Sequence, residues 1–313
     1  MKKYIIIRLL LIVINIFIVM TFLFFALTFA QFYKFYEMPF SDYFNVSFRL
    51  YKAFLEQKFV LGEWGLTAGG DPIEVILLPR LLITLKYNVI ALCIYFPLGI
   101  IVGVISAYRK GSLFDRTFIN AAMVFGSLPT YITTFFLMVI LGFQLNLFPA
   151  HYSMIPDGFI GSVWGLGIPI IALSADAVSR IARVIRSELV EAFDSEYYLL
   201  ARTKGMTRQK AMFRHLFRNS VIPVLPAMVD VFLITLTGSF FVEMVFGIKG
   251  AAEILYEALI SISPIGTNYI LIDVNTVVII GVFYTLMSLI IFFIVDISYY
   301  LIDPRIRMNS KKD

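Results

Sequence analysis

The chain has 313 residues, of which 60% are hydrophobic and 15% charged, and its mean hydropathy is +0.87. A soluble domain carries about 25% charged residues, so the composition excludes an ordinary soluble protein and predicts a polytopic membrane protein. The formal net charge is +5.

Six apolar runs are long enough to cross a bilayer as helices, since a spanning helix needs about 18 to 20 residues. We predict a single membrane domain over residues 1–313, with an external segment at 31–80. The first run is interpreted as a retained anchor, because its uncharged stretch exceeds the apolar region of a signal peptide, about 7 to 15 residues. The predicted spans lie at about 9–30, 81–107, 117–141, 165–187, 220–245 and 275–299.

The positions of Lys and Arg predict the orientation, because these residues are enriched in cytoplasmic segments. With a cytoplasmic N-terminus, 19 of the 26 Lys and Arg residues lie on the inside and 7 on the outside. Both termini are then expected in the cytoplasm. Topology explains the basic character of the chain, so no nucleic-acid partner is predicted.

The external segment alternates aromatic and charged residues. Spacings of three and four predict a short amphipathic helix from about Asp42 to Lys58. Its aromatic side chains either anchor the helix at the membrane surface or form a docking surface for an external binding protein.

A basic loop, residues 188–219, separates the fourth and fifth spans. We predict one helix from Glu196 to Lys204, a left-handed residue at Gly205 that ends it, and Thr207 as the N-cap of a second helix. The second helix is expected to be two-faced. Its apolar arc would hold Met212, Phe213, Leu216 and Phe217, and its opposite arc Arg214, His215 and Arg218.

The chain contains no Gly-Lys dipeptide, which an ATP-hydrolysing P-loop requires. If ATP drives this protein, a separate chain must hydrolyse it, and the basic loop is the inside segment large enough to engage that chain. Such a loop would act as a mechanical coupler. The alternative is a surface helix whose basic residues reflect only the enrichment of Lys and Arg in cytoplasmic segments.

Asp176 and Asp230 fall near the middle of predicted spans, where ionisable groups are costly and usually face a cavity or a partner. Asp176 has Arg180 one helical turn away, so it forms a local ion pair or lines a passage. Asp230 has no nearby cation in sequence, so it is either exposed to a cavity or protein partner, or buried and protonated. No catalytic or metal-ligating constellation is evident.

Several short motifs together resemble the permease subunits of ABC importers, in the dipeptide/oligopeptide (peptide/nickel) group and its oligopeptide B type. The basic loop resembles the coupling loop of these permeases. The matching segments are Ser127 to Pro129, Arg183 to Ser187, Ala201 to Gly205, Val242 to Phe246, Asp296 to Tyr299 and Asp303 to Arg307. Departures occur at Gly247 to Gly250 and Gly266 to Asn275, which concern the external gate and docking surface.

The resemblance implies an all-α type I importer permease in the cytoplasmic membrane of a bacterium, which translocates oligopeptides and is not itself an enzyme. It implies a second homologous permease, two cytoplasmic ATPase subunits that bind ATP and Mg, an external peptide-binding lipoprotein and membrane lipid as partners. Dipeptides, nickel or glutathione are alternative cargoes. A stand-alone transporter with Asp176 and Asp230 as a proton relay is the alternative from another class.

The resemblance also assigns residues to the coupling loop. These are Glu196, Tyr197, Ala201, Arg202, Lys204, Gly205, Met206, Thr207, His215, Arg218 and Asn219. Asp176 and Asp230 remain the candidates for the translocation path. No cofactor is expected in this chain.

Overall fold

The computed structural model describes residues 2–36, 40–67, 70, 72–154, 163–262 and 270–302. The chain divides into two compact units. The first contains Met1–Leu85 and Lys249–Leu289, and the second contains Lys86–Ile248 and Ile290–Asp313.

The described secondary structure is almost entirely helical, apart from one antiparallel pair of two-residue strands, β1 (Ser261–Ile262) and β2 (Ile270–Leu271). Two helices continue into π-helical turns, at Glu56–Val60 and Met138–Gln144, and a third π-helical turn at Met212–Leu216 joins α8 to α9. The α-helices are α1 (Lys2–Tyr36), α2 (Phe40–Leu55), α3 (Ile73–Tyr108), α4 (Leu113–Ser127), α5 (Thr130–Leu137), α6 (Gly167–Phe193), α7 (Glu196–Thr203), α8 (Arg208–Ala211), α9 (Phe217–Ser220), α10 (Val224–Phe246), α11 (Ala251–Leu259) and α12 (Val274–Ile302).

In the first unit, the predicted amphipathic helix is present as α2 and packs on α1. Its aromatic side chains are divided between two faces. Tyr43 and Tyr51 are buried, whereas Phe44 is 53% exposed. The Tyr43 hydroxyl donates to the carbonyl oxygen of Phe25 at 2.8 Å. The buried part of the aromatic pattern therefore stabilises the contact between the two helices.

A second apolar cluster of this unit joins the start of α3 to α11 and α12 through buried Ile73, Ile254 and Ile280. An ion pair between Arg80 and Glu253, 2.8 Å apart, lies beside it with both side chains partly exposed.

In the second unit, α6 packs against α4, α5 and α10. Two glycines of α3 lie one turn apart and allow close approach to α6. A Cβ atom at Gly99 would lie 2.8 Å from the side chain of Ile181, and one at Gly103 would lie 2.7 Å from the carbonyl oxygen of Ala182. These glycines therefore belong to a helix contact.

The third predicted span, 117–141, is not one straight helix. Its first half ends at Ser127, Leu128 is extended at φ −85° and ψ 127°, and Pro129 precedes α5. A residue before proline disfavours the helical conformation, and proline lacks the N–H that would continue the ladder. The axes of the two halves, Leu113–Ser127 and Thr130–Gln144, differ by 108°.

Four described helices are long and apolar enough to cross a membrane, or five if the bent pair is counted as one span. The predicted all-α, polytopic class is thus confirmed. The fourth predicted span corresponds to α6, which carries four charges in its middle, at Asp176, Arg180, Arg183 and Arg186. The count of six spans stays a prediction.

Candidate functional site: the basic loop and a charged cavity

The turn in the basic loop has the geometry that its sequence indicates. Helix α7 ends at Thr203, and Gly205 follows with φ +82°. The side chain of Thr207 accepts a hydrogen bond from the N–H of Lys210 at 3.3 Å, as an N-cap does. Arg202 donates to the carbonyl oxygen of Met206 at 2.6 Å and closes the turn from the other side. Local interactions thus set the angle between α7 and α8.

Arg208 ties the second helix of the loop to the ends of two longer helices. Its Nη2 donates to the carbonyl oxygen of Tyr108, the last residue of α3, at 2.8 Å. Its guanidinium carbon lies 4.5 Å from the ring centre of Tyr108 and 5.1 Å from that of Phe193, the last residue of α6. Cation–π contacts of this kind stabilise a fixed orientation.

The predicted apolar arc of the second helix is wrong for Phe213. Met212 and Leu216 are buried, but Phe213 is 59% exposed. Met212–Leu216 forms a π-helical turn, in which the N–H of Phe217 bonds to the carbonyl oxygen of Met212. This i→i+5 bonding differs from the α-helical geometry on which the predicted arc was based.

His215 was predicted to lie on the polar arc, but it is only partly exposed. Its Nε2 atom is buried and has no hydrogen-bond partner among the residues that the structure describes. The side chain of Arg218 lies outside the described residues, although its backbone belongs to α9.

The remaining predicted loop residues divide into two groups. Ala201 is buried at 6% exposure and faces the rest of the protein, and Met206 is half-buried. The others are exposed, namely Glu196, Tyr197, Arg202, Lys204, Gly205, Thr207 and Asn219. The small side chain at Ala201 therefore has a packing role, while the polar residues present a surface.

Sequence reasoning missed the apolar part of that surface. Leu199 and Leu200 are each 57% exposed on α7, which also carries exposed Tyr197, and Phe213 is exposed in the π-helical turn that follows α8. The available signal was the adjacent apolar pair Leu199–Leu200 within a basic loop outside the predicted spans. Apolar side chains exposed outside the membrane-length helices indicate a surface that another protein covers.

A buried ionic cluster lies where α3, α4 and α6 meet, and sequence reasoning missed it as well. Asp115 is 1% exposed. It accepts hydrogen bonds from Arg186 Nε at 2.6 Å and Nη2 at 2.9 Å, from the N–H of Gly111 at 2.9 Å, and from the hydroxyl of Ser106. The bidentate geometry fixes α6 against the turn between α3 and α4.

A charged cavity of about 580 Å³ opens between α4, α6 and α10. Asp230, one of the two predicted path residues, lines it and is exposed. The other, Asp176, forms the i,i+4 ion pair with Arg180 at 2.7 Å. Its second oxygen is buried without a hydrogen-bond partner among the described residues. Three arginines also line the cavity, Arg180, Arg183 and Arg186.

The family model for the binding-protein-dependent transport system inner membrane component matches residues 99–308, and the chain belongs to this family. The fold is that of the membrane subunit of a type I ABC importer, which confirms the resemblance seen in the sequence.

Individual relatives are transport permeases as well. The chain is 28% identical over 241 residues to a putative peptide transport system permease protein of Brucella abortus, covering 77% of this chain and 74% of the relative. It is 29% identical over 243 residues to a dipeptide transport system permease protein of Lactococcus lactis, covering 76% and 73%. It is 27% identical over 265 residues to an oligopeptide transport system permease protein of Mycobacterium bovis, covering 80% and 78%.

Proposed function

We propose that this protein is the pore-forming permease subunit of an ATP-driven importer that carries oligopeptides across the cytoplasmic membrane of a bacterium. The observation that carries the proposal is the basic loop, a helix–turn–helix that exposes the apolar side chains of Leu199, Leu200 and Phe213. The relatives in Brucella, Lactococcus and Mycobacterium, whose names specify peptides, dipeptides and oligopeptides, support the cargo class.

The partners proposed are a second homologous permease, two cytoplasmic ATPase subunits that bind ATP and Mg, and an external peptide-binding lipoprotein. The absence of a Gly-Lys dipeptide in the sequence supports a separate ATPase. The excess of Lys and Arg on one side supports an orientation with both termini and the basic loop in the cytoplasm.

The loop is positioned to pass movement to the bundle. An ATPase groove that holds α7 and the side chain of Phe213 would pull on Arg208, which contacts the ends of α3 and α6. Asp115 and Arg186 then join α6 to the start of α4. A rigid-body movement of the loop would therefore reach α3, α4 and α6, and the last two line the charged cavity.

The test is uptake by proteoliposomes that contain the complete transporter with its binding protein. Import of a labelled tri- to pentapeptide mixture should require internal ATP and continue after an uncoupler collapses the proton gradient. Loss of import on adding the uncoupler, with ATP maintained, would favour a proton-coupled transporter that uses Asp176 and Asp230. Competition by dipeptides, glutathione or nickel distinguishes the alternative cargoes.

A further inference from the structure

Two side chains of opposite charge line the charged cavity without an ion-pair partner among the residues that the structure describes. Arg180 is paired with Asp176 at 2.7 Å, and Arg186 is paired with Asp115 at 2.6 Å. In the part of the chain that the structure describes, Arg183 and Asp230 form no ion pair, although both line this cavity.

Both groups lie well inside their helices. Arg183 precedes the end of α6 at Phe193 by a distance of about 15 Å, at 1.5 Å per residue. Asp230 follows the start of α10 at Val224 by about 9 Å. Both residues fall within predicted spans, where a charged side chain is costly unless it faces water or a charged ligand, so each is a candidate functional group.

The surroundings of Arg183 leave its guanidinium free to bind. Its Nε donates to the carbonyl oxygen of Ser179 at 3.2 Å, which holds the side chain along α6. Gly126 of α4 provides the space beside it, because a Cβ atom there would lie 3.0 Å from Nη2 of Arg183. The side chain is exposed, so its outer N–H groups face the cavity.

We infer that Arg183 and Asp230 bind the two charged ends of the peptide cargo as it passes, Arg183 its C-terminal carboxylate and Asp230 its N-terminal ammonium group. This inference rests on the proposed function. The cavity volume lies within the range of about 300 to 1,000 Å³ typical of small-ligand sites. A guanidinium binds a carboxylate with two parallel hydrogen bonds, and a carboxylate binds an ammonium group with charge-assisted ones.

The charge arrangement distinguishes cargo classes. A free metal cation would find one unpaired carboxylate, Asp230, in a cavity lined by three guanidinium groups, so electrostatic repulsion opposes it. A simple anion would bind Arg183 but be repelled by Asp230. A zwitterionic peptide satisfies both groups and adds no net charge to the cavity.

The test removes one charge from the protein and one from the cargo. The complete transporter is reconstituted with wild-type permease, Arg183→Gln or Asp230→Asn. Each form is given the tri- to pentapeptide mixture, its C-terminally amidated counterpart and its N-acetylated counterpart. Dividing each variant's rate by the wild-type rate for the same peptides removes the preference of the binding protein, since that protein is unchanged.

We expect Arg183→Gln to lower import of the free peptides about tenfold and import of the amidated ones less than twofold, because the amide has no carboxylate to lose. Asp230→Asn should likewise lower import of the free peptides strongly and import of the N-acetylated peptides only slightly, because an acetylated N-terminus has no ammonium group to bind. Arg183→Lys keeps the positive charge, so this variant should still distinguish a free C-terminal carboxylate from an amide. Membrane abundance should stay at the wild-type level in all three variants.

Three outcomes would overturn the inference. Equal losses for free and modified peptides, or no loss for either, would show that the two charges do not bind the cargo termini. Loss of assembly with the second permease in Arg183→Gln would assign Arg183 to a subunit contact instead. If the wild-type transporter imports none of the peptides, the proposed function itself is refuted. If the wild type imports them but the variants lose free and modified peptides equally, only the inference is refuted.

Discussion

The ionic cluster at Asp115 provides the sharpest prediction about stability. Asp115→Asn keeps the shape of the side chain but removes its charge and replaces an acceptor oxygen with a donor. The variant side chain therefore cannot accept all the hydrogen bonds that Ser106, Gly111 and Arg186 now donate. The guanidinium of Arg186 then lacks the carboxylate charge that neutralises it.

The magnitude follows from burial. Removing one member of a buried ion pair costs about 3–5 kcal/mol. The Asp115 side chain is 2% exposed and that of Arg186 is 22% exposed, so cavity water solvates part of the arginine. We therefore expect a loss near the lower limit, about 3 kcal/mol in the free energy of unfolding.

The assay is denaturant titration of the purified subunit in mild detergent, with Glu253→Gln as the matched control. Glu253 pairs with Arg80 at 2.8 Å, but their side chains are 34% and 24% exposed. Exposed pairs contribute about 0.2–1 kcal/mol, so the same chemical change should be mild there. Equal losses in the two variants would refute the reasoning from burial. Asp115→Leu combined with Arg186→Met should recover much of the loss.

Three other predictions concern packing, coupling and orientation. Gly103→Ala should lower the free energy of unfolding by about 1–3 kcal/mol, because the new Cβ would lie 2.7 Å from a backbone carbonyl oxygen of α6; unchanged stability would show that this helix contact is looser. Arg208→Gln should reduce import several-fold at normal abundance while Gln209→Ala stays mild, as measured in vesicles; equal effects would remove the anchoring role. Reporter fusions should read cytoplasmic after Lys210 and external after Leu55, and an external signal at Lys210 would contradict the orientation.

Features set by neighbouring residues could be predicted from the sequence. Gly205 and Thr207 define the turn in the basic loop through backbone dihedrals and a side-chain cap, which act within a few residues. The pair Asp176–Arg180 is likewise set by helical spacing. In each case, the sequence interval alone brings the groups together.

Features that depend on tertiary structure could not be predicted. Asp115 and Arg186 are separated by 71 positions, so no local pattern joins them. Phe213 lies in a π-helical turn, whose i→i+5 bonding α-helical periodicity does not anticipate. Arg183 differs from Arg180 and Arg186 in having no ion pair among the described residues, and the sequence does not show this difference. The loop could be recognised from the sequence, whereas the cavity could be recognised only from the packing of α4, α6 and α10.

Gly205→Val in the complete transporter tests the coupling role of the basic loop most directly. Among the described residues, and apart from its own chain neighbours, nothing lies within 4 Å of the position of a Cβ at Gly205, so the substitution acts through its φ of +82°. A β-branched residue there costs at least about 1–2 kcal/mol and should change the angle between α7 and α8. The matched control is Gly62→Val, which has φ +70° and equally open surroundings in the predicted external segment.

The measurement is ATP-dependent peptide import, normalised to the amount of permease in the membrane. We predict wild-type abundance for both variants, with import lost or sharply reduced in Gly205→Val and retained in Gly62→Val. Normal import by Gly205→Val at wild-type abundance would contradict the account and leave the basic loop as a surface turn.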